Sequence, residues 1–283
     1  MTKFIRIIPR LDIKGPNLVK GIHLEGLRVL GKPEQFAKYY YDMGADELLY
    51  MDVVASLYNR NSLQEIISKT ASEIFIPLTV GGGLRTIEDI RNVLRAGADK
   101  VVLNTAAINN PEIIQEASKH FGSSTITISI EAIRQNNGSY LAFTDNGREY
   151  SGIDVFDWAK KAEELGAGEI IITSIDMEGT GEGFDIALTR RIADSVTIPV
   201  VACGGAGGIE DIKQVINEGN ADAVAIASLF HYEYLKTFVL QEFEDEAEGN
   251  TEFIKGRKDF SMIKSCSISN LKENLKISGI KCR

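Results

Sequence analysis

The sequence predicts an α/β protein, a (β/α)8 TIM barrel built from two half-barrels. Three observations carry that expectation. Short Ile- and Val-rich runs alternate with amphipathic segments along the chain, eight such runs can be counted, and the second half repeats motifs of the first. The length of 283 residues suits one barrel of this kind, which needs roughly 250. Hydrophobic residues at 44% and charged residues at 25% are the values of a folded globular protein, and they exclude disorder, collagen and coiled coil. Forty acidic against 31 basic residues give a net charge of −9. No field of that sign recruits nucleic acid or an anionic membrane, although a local phosphate pocket stays open.

No run approaches the roughly 18 consecutive apolar residues of a membrane span. The opening MTKFIRIIPRLDIKG carries charges inside its apolar run and reads as a strand, not a signal peptide. Cys203, Cys266 and Cys282 are odd in number, far apart and without a Cys-x-x-Cys, so a cytoplasmic location is expected. His23, His120 and His231 lack metal-ligand spacing. The expectation is neither metal nor cofactor.

The apolar runs, in order, are IRIIPRLDI, ELLYMDVV, IPLTV, KVVLN, STITISIEA, EIIITSID, IPVVACGG and DAVAIASLF. Several are apolar on both faces, the mark of parallel strands covered on both sides. Between them lie helical patterns such as PEQFAKYYYDMG, IEDIRNVLRAG, PEIIQEASKHFG, DVFDWAKKAEELG and IEDIKQVINEG. Most close on Gly, a common helix stop. The halves match as VGGGLRTIEDIRNVLRAGADKVVLNTAA and CGGAGGIEDIKQVINEGNADAVAIASLF. IEDI begins at Ile87 and again at Ile209, an offset of 209 − 87 = 122; Asp12 pairs with Glu131 at 119 and Asp52 with Asp176 at 124. A period that long is half a barrel, not a solenoid repeat. Two tandem four-strand domains would leave open sheet edges.

In such a barrel the chemistry sits at the C-terminal strand ends. Those ends are Asp12, Asp52, Gly81-Gly82-Gly83, Asn104-Thr105, Glu131, Thr173-Ser174 with Asp176, Gly204-Gly205 and Ala227-Ser228. Glycines let a backbone come close to an anion, and nearby N–H groups donate to it. Gly82 and Gly83 with Asn104 and Thr105 predict one phosphate cradle. Gly204 and Gly205 with Ala227 and Ser228 predict another. Two cradles call for a long substrate with a phosphate at each end. Asp12 and Glu131, on the facing first and fifth strands, suit general acid and base work on it. Asp52 is expected to be a helix N-cap or to make a loop salt bridge. At the opposite strand ends stand Arg6, Glu47, Lys100 and Glu169. They form either a ring plugging the floor or separate surface ion pairs.

The segments IIPRLDIKGPNLVKGIHLEGLR, DELLYMDVVAS, TVGGGLRTIEDI, GADKVVLNTAA, GAGEIIITSIDMEGTGEGFD and ACGGAG resemble the cyclase subunits of imidazole glycerol phosphate synthase. The likeness runs from about Arg6 to His231 and resumes near Ile268. It implies ammonia delivered by a glutaminase subunit docked as a heterodimer under the N-terminal face. It implies a bis-phosphorylated ribulosyl aminoimidazole carboxamide ribotide, converted to imidazole glycerol phosphate and aminoimidazole carboxamide ribotide. By the same resemblance Asp12 is catalytic, and Lys20 belongs to a mobile first loop. Thr173, Ser174 and Gly179 join the substrate-binding set, and Arg6, Glu47, Lys100 and Glu169 gate the ammonia entrance. The chain holds no Gly-x-Cys-x-Gly nucleophile elbow, and Cys203 reads as a buried strand end, so ammonia must come from a partner or from solution.

Three departures stand out. Glu131 replaces the family's aspartate and adds one methylene of reach. PRLD replaces PCLD, which puts Arg10 beside Asp12 with its side chain opposite to that of Leu11. Residues 232–265 are an insertion after the eighth strand, with the acidic run EFEDEAEG and the basic run KGRKD. It is expected on the catalytic face, as a recognition element or a solvated loop. These departures fit a second reading: a paralogue serving as ammonia conduit and scaffold for an amidotransferase that forms acetamidino groups on surface polysaccharide sugars. Asp12 and the two cradles favour the cyclase; Glu131, Arg10 and the insertion favour the conduit.

Overall fold

The computed structural model describes residues 3–55, 63–238 and 263–283. Among them, β1 (Arg6–Lys14) runs into a hairpin of β2 (Asn17–Ile22) and β3 (Glu25–Gly31). Then come β4 (Leu48–Asp52), β5 (Leu78–Gly81), β6 (Lys100–Leu103) and β7 (Ile126–Arg134). A second hairpin follows, β8 (Tyr140–Thr144) and β9 (Glu149–Asp154), before β10 (Glu169–Ser174), β11 (Val200–Cys203) and β12 (Ala223–Ile226). Strands β1, β4, β5, β6, β7, β10, β11 and β12 pair in parallel, and β12 closes onto β1. The expected (β/α)8 barrel is therefore the fold. The helices are α1 (Pro33–Asp42), α2 (Gln64–Ala71), α3 (Ile87–Arg95), α4 (Thr105–Asn109) and α5 (Glu112–Phe121) in the first half. They continue as α6 (Val155–Glu164), α7 (Ile186–Ala193), α8 (Ile209–Asn217), α9 (Ser228–Phe238) and α10 (Ile268–Ile277).

Two strands correct the expectation. The sequence predicts that the first and fifth barrel strands end at Asp12 and Glu131, but they extend to Lys14 and Arg134. Their extra residues pair antiparallel with β2 and β8, so the mouth carries two hairpins. Both rise from equivalent strands of the two halves, which extends the half-barrel repeat to features the motif match did not include. The second turn, Asp145-Asn146-Gly147, has φ of +52°, +60° and +78°, a run that suits Asn and Gly.

Strand alternation sorts side chains into two sets. Ile7, Leu11, Leu48, Tyr50, Val101, Ile128, Ile170 and Val224 pack outward against the helices. Ile8, Leu49, Val102, Ile171, Val201 and Ala223 form a separate apolar collar inside the barrel. The repeated IEDI helices begin alike. Thr86 caps α3: its hydroxyl accepts from the Asp89 N–H at 3.1 Å, and Asp89 accepts from the Thr86 N–H at 3.0 Å. In the second copy Gly208 has no side chain, so only the returning half forms, with Asp211 accepting from Gly207 and Gly208 at 2.9 Å. Helix α9 absorbs residues 232–238 of the insertion. Lys264 donates its N–H to Gly207 at the mouth at 2.7 Å. Residues 239–262, with both charged runs, lie outside the described residues.

Below the collar the four floor charges close into a ring. Arg6 bonds Glu47 at 2.9 Å and also bonds Glu169; Lys100 bonds Glu47 at 3.0 Å and Glu169 at 3.1 Å. The Thr79 hydroxyl donates to Glu47 at 2.6 Å. Every member has two oppositely charged neighbours, and both glutamates are buried. That decides for a ring over separate surface pairs. A buried ion pair that loses one partner costs about 3–5 kcal/mol. Glu47→Ala is therefore expected to lower unfolding free energy by about 3 kcal/mol in urea denaturation. A loss under about 1 kcal/mol would place the ring among exposed pairs instead.

Candidate active site

The mouth is built on β1 and β7. Alternation sends Arg10 and Asp12 inward above Ile8, and Glu131 inward above Thr127 and Ser129; all five polar residues are buried. The Arg10 Nε donates to Asp12 Oδ1 at 2.8 Å, and its Nη1 lies 3.3 Å from Cys203 Sγ and 3.5 Å from Thr173 Oγ1. The guanidinium thus crosses the lumen from β1 toward β10 and β11. Burial alone would lower its pKa, but facing Asp12, Cys203 and Glu178 hold it well above its ordinary value. Cys203 is a buried strand end, as its position implied.

Glu131 accepts from the Gly147 N–H at 2.8 Å. Burial pushes its pKa up to about 7, against the pull of Arg10 and of the Gly147 bond; Asp12 and Asp145 add to the rise. Asp52 accepts from the Val54 N–H of its own loop at 3.1 Å, a backbone bond in place of the expected salt bridge. His231 is fully buried, with Nδ1 2.6 Å from the Tyr40 hydroxyl. Burial, then Lys20, lowers its pKa to about 3.

The residues of the first predicted cradle lie together. Gly82, Gly83, Asn104, Thr105 and Glu131 line one cavity of about 270 Å3. The Asn104 Nδ2 donates to the Phe143 carbonyl at 3.3 Å, while its buried Oδ1 has no protein partner. At the other side Gly204 and Gly205 follow β11, and Ala227 and Ser228 follow β12. Ser174 Oγ is also buried and unpartnered.

The glycines themselves have a nearer cause than phosphate. A Cβ on Gly82 would sit 2.3 Å from the Asp52 carbonyl oxygen, and one on Gly205 would sit 1.9 Å from that of Gly183. Both positions also have φ above +100°. Loop packing therefore requires glycine at both sites, whatever binds above them.

Lys20 and Gly179 are placed elsewhere than in a cradle. Lys20 is buried, ion-paired with Glu178, and donates to the Gly21 carbonyl at 2.7 Å. Glu178 also accepts from the Leu24 N–H at 3.0 Å, and its carbonyl accepts from the His23 N–H at 2.9 Å. A Cβ on Gly179 would meet the Gly21 carbonyl oxygen at 2.8 Å. Asn146 of the second hairpin donates to the Leu24 carbonyl of the first at 3.1 Å. The hairpin is thus fastened over the mouth by Glu178, a residue that no periodicity or strand-end rule singled out.

Comparison with known proteins gives the relatives of this arrangement. A family model described as "Histidine biosynthesis protein" matches residues 6–236. A protein of Legionella pneumophila named imidazole glycerol phosphate synthase subunit HisF is 56% identical over 209 residues, covering 74% of this chain and 99% of that protein. A protein of the same name from a Nostoc species is 45% identical over 246 residues, covering 86% of this chain and 95% of that one. Among the described residues no helix is long and apolar enough to cross a membrane.

Two outcomes are expected of this site. In crystals grown from phosphate, one ion will bind near Gly82, Asn104 and Thr105 and another near Gly204, Gly205 and Ser228; side chains filling both cradles instead would refute the pair. The second outcome concerns pH. A glutamate raised from 4.5 to about 7 stabilises the fold fully below 4.5 and loses that contribution as pH rises through about 7. Wild type should lose on the order of 3 kcal/mol over that window relative to Glu131→Gln, read from denaturation at each pH. Parallel curves for the two proteins would contradict it.

Proposed function

The chain belongs to the histidine biosynthesis protein family, and from that premise we propose that it is the cyclase subunit of an imidazole glycerol phosphate synthase. Ammonia from a glutaminase subunit enters through the floor and passes the apolar collar to the mouth. There it reacts with a bis-phosphorylated ribulosyl aminoimidazole carboxamide ribotide held at its two ends by the two cradles. The products are imidazole glycerol phosphate and aminoimidazole carboxamide ribotide. The observation that carries this reading is the alignment along one lumen of a four-charge floor, an apolar collar and a paired-carboxylate mouth. Neutral ammonia crosses an apolar layer at far lower cost than ammonium does.

The ring of Arg6, Glu47, Lys100 and Glu169 is the entrance and the surface on which the glutaminase docks. The chain acts in a heterodimer, and the whole chain serves as one barrel with its insertion on the catalytic side. Asp12 and Glu131 serve the ring closure together. Arg10 across the lumen specifically favours the second reading, in which the barrel only conducts ammonia to a sugar amidotransferase.

Ammonium salt, without any glutaminase, separates the two. The cyclase reading expects product from wild type, and a loss of about 100-fold to 10,000-fold in Asp12→Asn and in Glu131→Gln. Folded wild type that makes no product, yet raises glutaminase activity on docking, supports the conduit and overturns the cyclase.

A further inference from the structure

The insertion after the eighth strand returns one cation to the mouth, and the half-barrel repeat gives that cation a counterpart. We propose that Lys264 is a binding residue for the phosphate of the second cradle, making there the cationic contact that Arg85 makes at the first. This inference rests on the two-cradle reading above and extends it to the insertion.

The first half shows the arrangement. Arg85 lines the same cavity as Gly82, Gly83, Asn104 and Thr105. It stands two residues before α3 and donates its N–H to Asp89 at 3.0 Å, while its Nη2 donates to the Ala55 carbonyl at 3.2 Å. At the repeat offset, 207 − 85 = 122, the second half has Gly207. The equivalence is structural as well, since Gly207 donates its N–H to Asp211 at 2.9 Å as Arg85 does to Asp89. A side chain at 207 is excluded, because its Cβ would lie 2.0 Å from the Gly181 carbonyl oxygen. The second loop therefore cannot supply a cation from this position.

Lys264 stands at that gap. Its N–H donates to the Gly207 carbonyl at 2.7 Å, and a Cβ on Gly208 would lie 4.0 Å from the Lys264 Cβ. The segment is held on both sides: Ile263 and Cys266 are buried in the core, and the Ser265 hydroxyl donates to Glu233 at 2.8 Å. Gly207 leads into α8 and Glu233 lies on α9, the helices that follow β11 and β12. Those two strands end at the cradle's own residues, Gly204-Gly205 and Ala227-Ser228. The backbone of Lys264 is thus fixed beside both cradle elements, while its side chain is exposed. A lysine in that setting offers a point charge on a long stem, a common way to meet phosphate.

The surroundings make such a charge necessary. Glu178 packs against the loop, where a Cβ on Gly204 would lie 3.6 Å from its own Cβ. The N–H groups of Gly207 and Gly208 are taken by Asp211. Lys20 is committed to Glu178 and Lys213 to Glu210. A phosphate dianion at this cradle meets acids and occupied amides on the α8 side, and Lys264 is the cation that the fold holds against that side.

The test uses inorganic phosphate and the full chain. Phosphate is titrated at constant ionic strength, and amide NMR reads the first cradle at Gly82 and Thr105 and the second at Gly204, Gly205 and Ser228. Lys264→Met should weaken the second site about tenfold, the size of one charge-assisted contact, and leave the first within about twofold. Lys264→Arg should keep the second site near wild type. Arg85→Met should do the reverse of Lys264→Met; a first site indifferent to it removes the parallel between the halves and overturns the assignment. A second site unchanged in Lys264→Met, or both sites weakened equally, also overturns it while leaving the two cradles standing. A wild type whose second cradle takes up no phosphate ends the two-cradle reading together with this proposal.

Discussion

A closed eight-strand sheet sends every second side chain of each strand into a narrow, enclosed lumen, and that constraint orders the rest of the molecule. A charged group buried there is costly unless an opposite charge or a hydrogen-bond partner meets it. The floor meets the demand completely: two bases and two acids alternate, and each touches two opposites. The collar avoids the demand with Ile8, Leu49, Val102 and their neighbours. The mouth meets it only in part. Arg10 bonds Asp12, while Glu131 bonds the Gly147 N–H. The raised Glu131 is first a consequence of burial inside a closed barrel, which Arg10 and the Gly147 bond only partly offset.

The lumen was largely legible because it follows a period of two. Once the strands were placed, Arg6, Glu47, Lys100 and Glu169 fell on one layer and Asp12 with Glu131 on another. The opposed directions of Arg10 and Leu11 came from the same rule. Whether the floor charges met one another was not legible, since contact depends on how far neighbouring strands are staggered. Nor was the bond from Arg10 to Asp12, which requires a side chain to fold back along its own strand by two residues.

Loop-borne features were harder to read. The hairpin β8–β9 carries a good local signal, the Asp145-Asn146-Gly147 turn between alternating runs, but it lies outside the β-α rhythm of the barrel. Glu178 carries no such signal. Its importance comes from three segments meeting at one carboxylate: Lys20, the Leu24 N–H and its own loop. The same meeting explains why Lys20 is not free between the cradles. Gly82 and Gly205 stand out in the sequence, but glycine there does not by itself point to phosphate, since each is already required by a carbonyl of a neighbouring loop.

The half-barrel repeat shows where the function departs from symmetry. With Asp12 matched to Glu131 at an offset of 119, Arg10 is matched to Ser129. Both side chains are buried on the lumen side, one layer beneath their carboxylates. A symmetric barrel with two arginines would pair both acids, and one with two small residues would leave both unpaired. A single arginine against a serine gives two chemically different carboxylates on a nearly symmetric scaffold. The hairpins repeat this pattern of shared origin and separate use. The first holds Lys20 against Glu178, whereas the second offers the Gly147 N–H to Glu131. Duplication supplies the two facing strands, and the differences at the mouth leave one facing acid bonded to Arg10 and the other to the Gly147 N–H.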